Sequence, residues 1–216
     1  MYNDPNDGTA TGNNEGWKPI GNLSVRFYSN YDGGGFAISN LYINRTYSGS
    51  GGELGFFGYV QGGAIQNLTI TDAALTYEID YYYGAAAAIG GGSLATINNI
   101  HVVGGTMTVI VGSQYEYAGG FLGRGSNMTI NSCSASMDIV SNVSTNYPIG
   151  VFLGYLSGGT ITACYATGNF TASGGSRAGG FAGELSGGAV VSRCYCTGTV
   201  TNLSGGNRGG FVGNPY

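Results

Sequence analysis

Positive charge is scarce in this chain. Lys18 is the only lysine, and six arginines complete the seven cations of a sequence that carries a net charge of −4. No basic stripe exists that could neutralise a run of phosphates, which excludes nucleic acid as an expected partner. Charge of either sign is low, at 8% against a usual ~25%. No run of about 18 apolar residues occurs, so no membrane-spanning segment is expected. His101 is the only histidine, and the cysteines contain no Cys-x-x-Cys pair, so neither a zinc site nor any other metal or cofactor site is expected. No Ser or Asp stands at a recognisable catalytic spacing from His101, which is expected to be an exposed bystander. An apolar leader is also missing, because Met1 is followed at once by Tyr2-Asn3-Asp4-Pro5. The chain therefore reads as a piece of something longer.

Glycine and aromatic residues fill the space those absences leave. The chain has 43 Gly, 17 Tyr and 9 Phe among 216 residues. The glycines do not recur every third position, which excludes collagen. The aromatic content argues against disorder. A short motif recurs instead: Phe56-Phe57-Gly58, Ala88-Ile89-Gly90, Phe121-Leu122-Gly123, Phe152-Leu153-Gly154, Phe181-Ala182-Gly183 and Phe211-Val212-Gly213. Its final glycines lie 32, 33, 31, 29 and 30 residues apart. Pro19-Ile20-Gly21 reads as a divergent first copy. A second block follows each motif, with Ile65, Ile97, Ile130, Ile161 or Val191, and three residues later Leu68, Ile100, Cys133, Cys164 or Cys194. Ile38-Ser39-Asn40-Leu41 reads as that block in the first copy.

Within the second block the period is two. Cys164, Ala166, Gly168 and Phe170 alternate with Tyr165, Thr167, Asn169 and Thr171, the mark of a strand with one buried face. No segment shows a helical stripe. A repeat of about 30 residues holds two or three short strands with their turns, which is one coil of a solenoid. The expected fold is all-β: a right-handed parallel β-helix of about six coils, one per repeat, over residues 16–216, preceded by a linker at 1–15.

These motifs resemble the GLUG-motif repeats. The resemblance rests on Gly55-Phe56-Phe57-Gly58, Gly120-Phe121-Leu122-Gly123, Gly180-Phe181-Ala182-Gly183 and Gly210-Phe211-Val212-Gly213. It also rests on the lead-in Trp17-Lys18-Pro19-Ile20-Gly21-Asn22 and on Asp32-Gly33-Gly34-Gly35-Phe36-Ala37-Ile38-Ser39-Asn40-Leu41. It covers roughly residues 16 to 216. The resemblance implies a large secreted or cell-surface protein of bacteria or archaea, adhesin-like and without catalytic activity in this part. Phe where the family name has Leu, and Ala88 in the third copy, are departures from the pattern.

Two core ladders are expected from the repeat. Phe121, Phe152, Phe181 and Phe211 should stack inward, and Cys133, Cys164 and Cys194 should form a column in which cysteine behaves as a small hydrophobe. Neighbouring rungs also bring cysteines within disulfide reach, with Cys164 and Cys194 the favoured pair. A ligand-facing surface column is read at Tyr83, Tyr117, Tyr147, Arg177 and Arg208, which stand just before the motif in successive copies. Aromatic and guanidinium faces in one column suit sugar rings or a partner protein.

The acids share no repeat position. Glu78 with Asp80 reads as a solvated loop, and Asp4 with Asp7 lacks any calcium-loop spacing. Sequons at Asn22, Asn44, Asn67, Asn127, Asn142, Asn169 and Asn202 are what an Asn-, Ser- and Thr-rich chain produces by chance. The functional expectation is a non-catalytic structural or adhesive segment of a secreted or surface protein. Its expected partners are a glycan or protein of a host or cell surface, or further copies of itself through open solenoid ends. Alternatives are a self-assembling extracellular filament and a glycan-cleaving β-helix. An ice-binding threonine face at Thr167, Thr171, Thr197, Thr199 and Thr201 is interrupted by Ser134, Ser136 and Asp138.

Overall fold

The computed structural model describes residues 15–47, 52–79, 83–111, 116–142, 147–173, 176–201 and 207–215. It is a parallel β-solenoid. Among the described residues there is no helix, and 24 strands form three sheets of 13, six and five strands. One coil shows the path. Leu153–Thr162 lies in the long sheet and Tyr165–Ala166 continues it past a corner. Phe170–Ala172 lies in the six-stranded sheet and Ser176–Gly179 in the five-stranded sheet. The chain then re-enters the long sheet at Ala182. Each strand pairs in parallel with its equivalent one coil away, as in Ile130↔Ile161 and Ile139↔Phe170.

The glycine motifs stack in register. Phe57, Ile89, Leu122, Leu153, Ala182 and Val212 follow one another across the rungs. Ile20 bridges Phe57 in parallel, so Pro19-Ile20-Gly21 occupies the first-copy position. The second block stacks too, as Ile65, Ile97, Ile130, Ile161 and Val191. The first copy of that block departs from expectation. Tyr31, not Ile38, pairs with Ile65, while Ile38 pairs with Ile70. A register shift between Asp32 and Phe36 separates the two, where Gly33-Gly34-Gly35 makes the strand bulge. Counting residues back from a motif fails across such an insertion.

The inward ladders fill the core. The rings of Phe121, Phe152, Phe181 and Phe211 stack at 4.6, 4.7 and 4.7 Å, each pair within 12° of parallel. The first three are fully buried and Phe211 is half-buried. In the third copy the run Ala85-Ala86-Ala87-Ala88 supplies no ring. Tyr77, fully buried, comes from the six-stranded sheet and donates its hydroxyl to the Ala86 carbonyl at 3.0 Å.

Cys133, Cys164 and Cys194 sit on neighbouring rungs as free thiols. Each donates to the carbonyl two residues earlier, at 3.1, 3.2 and 3.2 Å. The sulfurs of Cys164 and Cys194 in turn accept the backbone N–H of Cys133 and Cys164. Burial pushes the Cys133 thiol up, and the hydrogen bond from Cys133 draws the Cys164 thiol down. The last rung, Val191, Cys194, Cys196 and Val200, is half-buried.

Corners are made by left-handed residues, singly or as glycine pairs. Nine non-glycine residues have positive φ, and all fall in three register columns. One holds Leu94 and Asn127 with Gly62, Gly158 and Gly187; a second holds Asn67, Asn99, Ser132, Ala163 and Arg193; a third holds Asn40 and Asp72 with Gly104. Asn and Asp tolerate this conformation, but Leu94 at φ 57° does so against its Cβ, with its side chain 63% exposed. Leu94→Gly should therefore stabilise the protein by about 1 kcal/mol, measured as a shift of the urea midpoint. No gain would mean that the side chain packs better than its exposure indicates.

Candidate functional site

The last glycine of each motif sits where the five-stranded sheet runs into the long sheet. A Cβ on Gly123, Gly154, Gly183 or Gly213 would stand 2.5, 2.6, 2.4 or 2.7 Å from the backbone nitrogen of Ala85, Ala118, Ile149 or Ala178. Only a residue without a side chain lets the two sheets press this close. The outer faces of the sheets then meet across a concave corner, a furrow running along the rod.

One wall of the furrow is the long-sheet row Tyr59, Gly91, Arg124, Tyr155, Glu184 and Asn214. The other is the row Glu53, Gly84, Tyr117, Pro148, Arg177 and Asn207. Its register follows from Leu54↔Ala85, Tyr117↔Gly84, Ala118↔Ile149, Pro148↔Arg177 and Ala178↔Arg208. Side chains cross between the walls at several levels. Tyr117 and Tyr155 rings lie 5.0 Å apart. Arg177 pairs with Glu184, which also accepts from the Asn214 amide at 3.3 Å. Arg26, one rung before Tyr59, stands 5.4 Å over that ring and donates to Gln61. Burial, then the neighbouring Tyr155 hydroxyl, raises the Tyr117 phenol above its usual range. Tyr59, Gly92, Arg124, Gly125, Ser126 and Tyr155 together line a small open pocket in the long-sheet wall.

Glu53 fills the furrow in the third coil. It is 2% exposed, and the glycines at 84 and 91 make its room. A Cβ on Gly91 would stand 2.6 Å from the Glu53 carboxyl carbon. The carboxylate accepts the Gly84 N–H at 2.6 Å and the Arg124 Nε–H at 2.5 Å. Burial pushes its pKa up to about 7, against the pull of the Arg124 charge and of the Gly84 N–H.

The first coil closes this end of the furrow. Trp17 stacks on Phe56 at 5.0 Å and donates its indole N–H to the Phe56 carbonyl. Arg45 points inward from the six-stranded sheet, next to Tyr77, and pairs with Glu15. Lys18, Pro19, Gly21, Asn22, Arg45, Glu53 and Leu54 surround a second pocket there.

Comparison with known proteins adds little to this geometry. No family model matches the chain, and no solved structure matches it. A protein of Evansella cellulosilytica, provisionally named a Gly-rich membrane protein, is 35% identical over 91 residues, which are 40% of this chain and 10% of that relative. The chain thus spans about a tenth of the relative's length. No helix among the described residues is long and apolar enough to cross a membrane.

The expected surface column is not one column. Tyr83 pairs with Glu116, Tyr117 with Gly84, Arg177 with Pro148 and Arg208 with Ala178, so the five residues occupy three adjacent register positions. Tyr83 and Tyr147 are 4% and 8% exposed and do not form a ligand-facing surface. Adjacent strand residues point to opposite faces, so a one-residue error in alignment moves a side chain from surface to core. Only Tyr117 and Arg177 stand in the furrow row. The residues of the facing row, Tyr59, Arg124, Tyr155 and Glu184, each lie one residue after the motif glycine, a position at which Tyr or Arg recurs in three coils.

His101 is not a bystander. It is half-buried, with Nδ1 2.8 Å from the Ser134 hydroxyl one coil away and Nε2 3.0 Å from the Asn99 side-chain Oδ1. Burial holds its pKa down. Ser134 is itself 3% exposed, and the pair ties two coils together. The threonine face also differs from expectation. Asn44, Thr76, Thr108, Val140, Thr171 and Thr201 are in register on the outer face of the six-stranded sheet, while Ser134 belongs to the long sheet. Asp4, Asp7, Asp80, the side chain of Glu116 and the sequon at Asn202 lie outside the described residues.

Proposed function

We propose that this solenoid is a non-catalytic adhesive segment of a secreted or cell-surface protein, and that its furrow holds a glycan chain. The observation that carries the reading is the half-exposed row of Tyr59, Arg124 and Tyr155, which lines an open pocket with Ser126. A sugar ring offers an apolar face that stacks on tyrosine, and hydroxyls that accept from guanidinium and pair with serine. Rungs about 4.8 Å apart repeat those groups along the rod, which suits an extended polymer better than a compact ligand. The resemblance of the motifs to GLUG repeats supports the same kind of parent protein. The name of the Evansella relative is compatible with a cell-envelope location.

A glycan array followed by titration of the best ligand tests this reading. Tyr155→Ala should weaken binding about tenfold, the effect of losing one stacked aromatic contact. Tyr195→Ala, past the corner of the long sheet and stacked beside Tyr165, should leave binding unchanged. An array with no bound glycan, or equal loss in both variants, would remove the furrow as the binding surface.

A further inference from the structure

We infer that the furrow selects acidic glycans, with the carboxylate of a sugar ring held at the first-coil end by Arg45 and Lys18. This deepens the glycan reading above and rests on it. The chain is acidic overall, with seven Lys and Arg against eleven Asp and Glu. Yet five of those seven cations, Lys18, Arg26, Arg45, Arg124 and Arg177, stand along the furrow or at its end. Glu15, Glu53 and Glu184 pair with Arg45, Arg124 and Arg177, which leaves Lys18 and Arg26 as the charges without an acidic partner there.

Arg45 supplies the independent observation. Its side chain is 10% exposed and lines the end pocket. Nη1 is bound to Glu15, but Nε and Nη2 are buried without any hydrogen-bond partner. Buried guanidinium donors are costly to leave unmade. Nε–H and Nη2–H point the same way and form the side-on edge of the guanidinium plane. A small rotation of the guanidinium toward the pocket brings that edge to the surface, where it receives the two oxygens of one carboxylate in parallel. The third unpartnered buried donor among the described residues, Nε of Arg177, lies further along the same furrow.

The pocket chemistry fits a carboxylate. Lys18 is exposed at its rim and adds a second charge. The acid facing the pocket is Glu53, whose two oxygens are already engaged by Gly84 N–H and Arg124. The pocket measures about 70 Å³, which admits a carboxyl group and leaves the ring it belongs to in the open furrow. There the tyrosine rings take over.

The test uses the whole chain and two ligands of the same ring: a tetragalacturonate and its methyl ester, in which the carboxylates are neutral. Calorimetric titration should show the acid binding at least about tenfold tighter than the ester, with the gap shrinking as salt rises. Arg45→Gln should bring the acid down to the affinity of the ester, and Lys18→Gln should weaken the acid alone. Lys18 is exposed, so that variant tests the inference even if Arg45→Gln fails to fold. Equal affinity for acid and ester overturns acid selection while leaving the glycan reading intact. Binding of neither ligand, nor of any glycan, overturns both. Displacement of the acid by acetate at equal concentration would show a simple anion pocket without a sugar and overturn the inference.

Discussion

Phe152→Ala should destabilise the rod by about 3–5 kcal/mol. Phe152 is fully buried and lies between the Phe121 and Phe181 rings, 4.6 and 4.7 Å away. Truncation removes the apolar area of one ring, two stacking contacts, and leaves a cavity that the flanking rungs cannot close. Their positions are fixed by backbone ladders on all three sheets. A solenoid coil contacts mainly its neighbours, so the loss weakens both interfaces of this coil. Urea unfolding measures it. Phe211→Ala is the comparison, because Phe211 stacks on one side only and is half-buried. It should cost distinctly less. Equal effects would mean that the ring stack does not hold the coils together.

Stability should fall as pH rises from about 4.5 to about 7, through Glu53. Its pKa stands at about 7 in the folded protein against 4.5 for an unburied glutamate. Between those values the folded state holds a proton that the unfolded state has released, so rising pH favours unfolding until Glu53 is ionised in both. Above about 7 the effect is complete and the curve is flat. The total is on the order of 3 kcal/mol. Glu53→Gln retains an acceptor for Gly84 N–H and cannot ionise, so its melting temperature should lose this part of the pH dependence. If the wild type and Glu53→Gln keep parallel profiles across this range, the carboxyl is not the titrating group.

The glycine motif and the alternation after it were enough to give the coil, its length and its inward ladders. Both are local signals: a period of two assigns faces within one strand, and recurrence at a near-constant interval assigns coils. Cys164, Ala166 and Phe170 are buried and Thr167, Asn169 and Thr171 exposed, as that period requires. Ala88 was visible as a departure from the motif, but not its compensation, because Tyr77 arrives from another sheet.

The furrow was not legible in the same way. Whether Tyr83 or Tyr117 faces outward depends on register between coils, which backbone hydrogen bonds set and loops of varying length conceal. His101 and Ser134 lie in different repeats, and so do Glu53 and Arg124. Arg45 gives no sign in sequence of a buried, half-paired guanidinium. The sequence by itself determined the solenoid, because its period and its glycines are constraints each coil carries alone. Only the tertiary structure decided which polar side chains meet, because a concave corner brings together two outer faces that no single strand contains.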